Sequence, residues 1–273
     1  MKIWTNKSLI SFISTVTILS LIVEVLIIKY DIQILYLLLM WVPTISATIA
    51  NIISINEKRE KLSIKQYINR LGIRDCKTYY IILGILIPLV YLLIPYMIYW
   101  KIYPDNFAYH GVAIIVVLSD ITLPMIVGIF MGILSAIGEE IGWRGYMLPS
   151  LLERVDLKKA LLITSLFWAC WHLPILIFGD YMSGASLWYK IPAFIMCVVP
   201  VGIICGILTI KSNSIWPATF LHAAHNHFDQ GIFGLITRGD KMMYYVSETG
   251  FLTIICAWII AIMMLIYYLK KEK

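Results

Sequence analysis

A chain of 273 residues, 60% hydrophobic and only 14% charged, with a mean hydropathy of +0.84, lies far outside the composition of a soluble globular domain. Its apolar runs are about 20 residues long, enough for a helix to cross a hydrocarbon core, and they lack the strict alternation of a membrane β-strand. Composition therefore excludes a soluble enzyme and a membrane barrel, and predicts an all-α, polytopic bundle of about eight transmembrane helices.

In chain order the predicted spans are residues 8–28, 34–55, 79–100, 112–148, 160–178, 191–210, 215–236 and 250–269. The first follows Lys2 and Lys7, but its apolar core is too long for a cleaved signal and no small-residue cleavage site follows, so it is expected to be retained. Residues 56–78 form the longest polar segment, with Leu62, Ile64, Tyr67, Ile68 and Leu71 at roughly helical spacing among seven basic residues. That pattern suits an amphipathic helix on an anionic inner leaflet, or equally a solvated basic loop. The fourth run is too long for one simple crossing. Asp120 and Pro124 interrupt it, so its spanning part is expected to start near Pro124 and to end at Leu148, before Pro149. No linker or repeat divides the sequence, which reads as a single membrane domain over 1–273. The five cysteines form no C-x-x-C pair and read as reduced apolar residues.

Lys and Arg alternate unevenly between successive connections. With the N-terminus inside, the inner side holds Lys2, Lys7, seven between Lys58 and Lys77, four between Arg144 and Lys159, Lys211 and three at the C-terminus, seventeen altogether. The outer side holds five: Lys29, Lys101, Lys190, Arg238 and Lys241. This asymmetry predicts a multi-pass protein of a cell membrane with both termini cytoplasmic. The net charge of +6 is then a topology signal and calls for no nucleic-acid partner. The Ile- and Lys-rich composition suits a bacterial plasma membrane.

Polar side chains inside these spans cost at least ~2.5 to 3.5 kcal/mol each when charged, and they mark function. Glu139 and Glu140 are adjacent and point about 100° apart on a helix, so they cannot share one role. Glu140 and Arg144 stand at i and i+4 in the order that favours an ion pair. Glu139 has no such partner on its own helix, which leaves it as a candidate base for water. His172 lies about 18 Å along the fifth span and Glu139 about 13 Å from the same face, so the two reach similar depths. Trp168, one turn before His172, is placed to stack on its imidazole. His222 and Asn226 share one face of the seventh span, while His225, His227 and Asp229 also fit an interhelical hydrogen-bond network. Because the short connection at residues 150–159 follows this cluster directly, the site is expected to open on the cytoplasmic side. One carboxylate, two imidazoles and an amide suit amide hydrolysis: Glu139 activates water, the histidines orient it or bind a metal, and Asn226 with a His holds the oxyanion. Glu139, His172 and His222 would also make a His₂Glu zinc set, although the H-E-x-x-H signature is missing.

Glu139-Glu140-x-x-x-Arg144, an aromatic residue four positions before its His in Trp168-x-x-x-His172, and His222-x-x-x-Asn226, in this order on successive spans, resemble the CPBP intramembrane proteases. That family includes the type II CAAX prenyl endopeptidases and the bacteriocin-processing and immunity (Abi) proteins. The motifs occupy residues 131–229, the expected catalytic core. The resemblance implies an endopeptidase, classed as a putative metalloprotease, in which Glu139 activates water, Glu140 pairs with Arg144, His172 and His222 complete the centre and Asn226 helps to hold the oxyanion. A metal-free glutamate mechanism is equally compatible with it. Trp168 stands where the family usually has Phe, a change expected to affect size more than chemistry. The implied substrate is a lipidated, leader or signal peptide, or a membrane protein, cut near the cytoplasmic face; the oligomeric state is open. Two other classes compete: a non-catalytic immunity or scaffolding protein, and a proton-coupled transporter, the latter weakened by the missing inverted repeat.

Overall fold

A computed structural model describes residues 3–109, 112, 114–182 and 184–271. It is 80% helical, and no strand occurs among the described residues. The helices are α1 (Asn6–Tyr30), α2 (Ile34–Lys58), α3 (Ile64–Arg70), α4 (Thr78–Ile102), α5 (Ile114–Glu140), α6 (Leu148–Leu152), α7 (Leu157–Trp171), α8 (Leu173–Phe178), α9 (Leu187–Ser212), α10 (Trp216–Asn226), α11 (Met242–Tyr245) and α12 (Phe251–Lys271). Two π-helical stretches, Ile141–Met147 and His227–Phe233, directly follow α5 and α10.

Seven described helices are long and apolar enough to cross a membrane, and the protein is an all-α polytopic bundle. The eighth expected span, 215–236, is present as α10 and its π continuation. It falls short of the others in hydropathy because His222, His225, Asn226, His227 and Asp229 all lie in it. This polar helix packs against α4, α5 and α9 instead of facing lipid, so its burden is carried inside the bundle. α9 is the central helix, with 83% of its apolar window buried against 22% for peripheral α12.

α5 runs without a break through the position of Pro124, and the candidate crossing in that region is Ile126–Leu152. In the basic segment, residues 64–70 form a short helix opened by a reciprocal Ser63–Gln66 capping box. Ile64 in it is 80% exposed, as a leaflet-facing apolar side chain would be. The basic end is stitched to the N-terminus: Glu153 accepts from the Ile3 and Trp4 amides, and Arg154 and Arg70 donate to the Trp4 and Ile3 carbonyls. Asp156 caps α7 through the Lys159 amide at 3.1 Å, a bond that holds its carboxyl below the usual range.

The first π stretch is pressed onto α2. A Cβ on Gly142 would stand 2.4 Å from the Pro43 Cβ, whereas one on Gly132 would meet nothing closer than 3.4 Å. Thr44 Oγ1 donates to the Gly138 carbonyl at 2.6 Å, and Trp41 Nε1 to the Leu134 carbonyl at 3.1 Å. α2 therefore pins the helix just where its hydrogen-bond register widens. Gly142→Ala should cost about 1 to 3 kcal/mol by overpacking and lower the melting temperature in detergent, while Gly132→Ala leaves it nearly unchanged; equal melting temperatures for the two variants would count against this packing.

Candidate active site

The six residues singled out in the sequence come from α5, its π stretch, the α7–α8 break and α10. The structure separates them into an inner support and a cavity wall. Glu140 Oε1 accepts from Arg144 Nη1 at 2.9 Å and from His222 Nδ1 at 3.0 Å. The Glu140 and Arg144 side chains are both 0% exposed. Arg144 also reaches the Gly202 carbonyl of α9 at 3.4 Å and lies 4.4 Å over the Trp168 ring of α7. The guanidinium thus joins four elements through one ion pair, one weak hydrogen bond and one cation–π contact.

Glu139 turns the other way. Trp168 Nε1–H donates to its Oε2 at 2.6 Å, and Trp143 Nε1–H donates to the same oxygen at 3.2 Å. Its own helix therefore does supply a partner, Trp143 at i+4. Sequence reasoning missed it because it looked for a cation. Trp168 likewise changes the chemistry as well as the size of the wall, since a Phe there has no donor for Glu139. Both indole bonds fall on Oε2, which leaves Oε1 to meet a ligand in the cavity that Glu139 lines.

His172 sits at the junction of α7 and α8, where Pro174 at the start of α8 cannot continue the hydrogen-bond ladder. The His172 amide bonds Ala169, and its Nδ1 lies 2.9 Å from the Trp168 carbonyl. A carbonyl only accepts, so that nitrogen carries the proton and Nε2 keeps its lone pair. Trp168 meets the imidazole edge-on, at 65° and 5.9 Å, and not as a stack; its carbonyl does the fixing. In His222 it is again Nδ1 that donates, with Glu140 as the acceptor. Asn226 makes no hydrogen bond with the described residues.

Glu139, His172, His222 and Asn226 line one cavity of about 580 Å³, while Glu140 and Arg144 stand behind it. Its deeper walls are apolar, including Met40, Ile175, Phe194, Val198 and Val201, and its rim carries Gln33, Tyr181, Gln230 and Glu248. The rim belongs to the 31–33, 179–186 and 234–250 connections and, at Gln230, to the second π stretch, at the end of the bundle away from the basic connections. The expected opening beside residues 150–159 is thus not where this cavity leads, because none of those residues lines it.

One further acid on the wall was not singled out. Glu248, just before α12, accepts from Tyr181 at 2.7 Å, from Gln230 at 3.2 Å and from His225 Nε2 at 3.2 Å. His225 also bonds the Tyr91 hydroxyl through Nδ1 at 2.8 Å. With both ring nitrogens engaged, His225 braces Glu248 and α4. Asp229 is held by Tyr96 and Ser247 at 2.9 and 2.6 Å, and His227 is buried with no bond at Nε2. No motif announces Glu248; an acid one turn before the last span is its sole sequence signal.

The zinc set of Glu139, His172 and His222 fits in chemistry, since metal-bound histidines also have their second nitrogen tied to an acceptor. It does not fit in geometry: among the described residues no three His, Cys, Asp or Glu side chains gather closely enough to hold an ion. No step below runs through a metal.

A buried polar wall inside an apolar bundle brings a carboxylate, two imidazoles and an amide to one membrane-embedded cavity. Residues 121–228 match the family model of the type II CAAX prenyl endopeptidase Rce1-like proteins. CAAX prenyl protease 2 of Methanococcus maripaludis is 34% identical over 137 residues, 48% of this chain and 48% of that protein. The chain thus aligns with about half the length of this curated relative. The two matches support the CPBP intramembrane protease family, the one that the ordered motifs resemble.

Arg144→Ala should destabilise the bundle by about 3 to 5 kcal/mol, because it strands a buried Glu140 charge, and adding Glu140→Gln should restore much of that loss. Denaturation in detergent reads both; a double variant no more stable than the single one would contradict the pair as drawn.

Proposed function

We propose that the protein is an intramembrane endopeptidase that hydrolyses a peptide bond by glutamate-activated water. The observation that carries this reading is the Glu139 carboxylate, with Oε2 clamped by two indoles and Oε1 left for a cavity that His172 and His222 also line. A water beside Oε1 can give one hydrogen bond to the carboxylate and another to an imidazole lone pair, which turns its own lone pair toward a carbonyl carbon. As the C–O bond forms, Glu139 takes the water's proton, and the Asn226 amide donates to the developing oxyanion. When the tetrahedral intermediate collapses, the C–N bond breaks and the Glu139 carboxylic acid returns the proton to the leaving amine. His222 cannot tilt away from this arrangement while Glu140 and Arg144 hold its Nδ1.

Peptides and membrane-protein segments are the substrates this reading implies, with an apolar stretch beside the scissile bond to fill the deeper walls. The protein lies in a cell membrane of bacterial type, with both termini cytoplasmic. Comparison of terminal peptides between wild type and Glu139→Ala in the native host tests the reading and reports the substrate; cleavage that persists undiminished in Glu139→Ala would overturn it.

Trp168→Phe removes the shorter indole bond to Glu139. A hydrogen bond to a charged group is worth about 1.5 to 3 kcal/mol, so the carboxylate is held less firmly and the cleavage rate in Trp168→Phe should fall roughly ten-fold or more, with KM changing less. An undiminished rate would show that Trp168 serves packing alone.

A further inference from the structure

We infer that the cavity opens on the extracytoplasmic side of the membrane and receives its peptide from there, as a secreted chain or the outer flank of a membrane protein. Two independent observations meet in this assignment. The first is the distribution of Lys and Arg, seventeen at the end that holds both termini and five at the other, a bias of the kind that fixes orientation during insertion. The second is the direction of the cavity. Starting from Glu139, the polar lining residues Gln33, Tyr181 and Glu248 belong to connections at the sparsely basic end, and Gln230 to the π stretch that leads into the last of them.

The cavity described at the basic end does not lead to the carboxylate. A second cavity of about 500 Å³ lies there, lined by Trp4, Arg70, Arg74, Arg144 and Ser214, and it reaches neither Glu139 nor His172 nor His222. Arg144 and its partner Glu140 form the floor between the two cavities. On the outer side, Ile34 of α2 and Met131 of α5 line the main cavity and are also exposed on the bundle surface, at 68% and 45%. The wall between these helices thus faces lipid and cavity at once, which suits a substrate that is itself held in the membrane. Cytoplasmic termini and a cytoplasmic mouth exclude one another in this fold, and the charge bias favours the termini.

The orientation stands on charge and geometry alone; the substrate class rests on the endopeptidase reading. A membrane-impermeant maleimide applied to intact cells separates the two. Gln33→Cys and Gln230→Cys, both at the rim and outside the catalytic set, should be labelled without permeabilisation. Native Cys76, in the basic connection before α4, should be labelled only after it. Labelling of Cys76 in intact cells together with protection of both rim variants overturns the inference, and two rim positions guard against a single variant that fails to fold. An internally quenched peptide with an apolar core, given to right-side-out and inverted vesicles, then reads the substrate side. Cleavage confined to right-side-out vesicles and lost in Glu139→Ala is expected, and cleavage confined to inverted vesicles overturns the substrate class. Rim labelling from outside with no Glu139-dependent cleavage in either vesicle rejects the endopeptidase reading, and the substrate class with it, while the orientation holds.

Discussion

One carboxylate oxygen, Glu140 Oε1, is the point on which the rest of the site depends. It accepts from Arg144 on the adjoining π stretch and from His222 on α10, two positions brought together in a region sealed from solvent. An ion pair removed from water gains little net stability, because desolvation consumes most of its attraction. Glu140 Oε2 and Arg144 Nε, both buried without hydrogen bonds, add to that cost. What the pair supplies is position: α10 cannot rotate or slide relative to α5 without stranding a charge in a medium that cannot solvate it. Arg144 extends the same constraint to α9 through Gly202 and to α7 through Trp168.

Adjacent glutamates on one helix thus acquire different environments from a difference of about 100° in direction. Glu140 meets two cationic or donor groups and becomes part of the frame. Glu139 meets two neutral donors on one oxygen and keeps the other oxygen for the cavity. Trp143 and Arg144, neighbours in sequence, each stand at i+4 and reach back to Glu139 and Glu140 respectively, so the division is repeated one turn on. Gly142, with no Cβ to strike Pro43, lets the widened segment approach α2.

Much of this was legible in the sequence, and the limits have physical causes. Apolar run length located the helices, because a hydrocarbon core imposes one length on any helix that crosses it. The i, i+4 spacing exposed the Glu140–Arg144 pair, since that contact is local. His222 joins the pair from 82 residues away, and its place in the set came through the ordered motifs and not through any local rule. Trp168 was read for its size and for stacking on His172, and Trp143 was not singled out; an indole N–H that serves a carboxylate looks in sequence like any other buried aromatic. Glu248 escaped because it lies in an irregular connection, where neither helical periodicity nor hydropathy ranks one acid above another. The direction of the cavity was misjudged for a related reason: proximity of the polar cluster to a cytoplasmic connection along the chain says nothing about which way the side chains lean, and long helical side chains lean toward the N-terminal end of their helix.

That lean carries a final consequence. α5 descends toward the basic end and α10 ascends from it, so their side chains incline in opposite directions along the bundle axis. Glu139 leans away from the basic end, and a side chain on α10 leans toward it. His222 is therefore drawn down onto Glu140, while Glu139 is drawn up beside the His172 imidazole at the α7–α8 break. A frame below and a reactive carboxylate above are the natural product of two antiparallel helices with an acid pair on one and a histidine on the other. The ion pair then acts as a floor between the two cavities, so that on the proposed endopeptidase reading water and peptide both reach Glu139 past Gln33, Tyr181, Gln230 and Glu248.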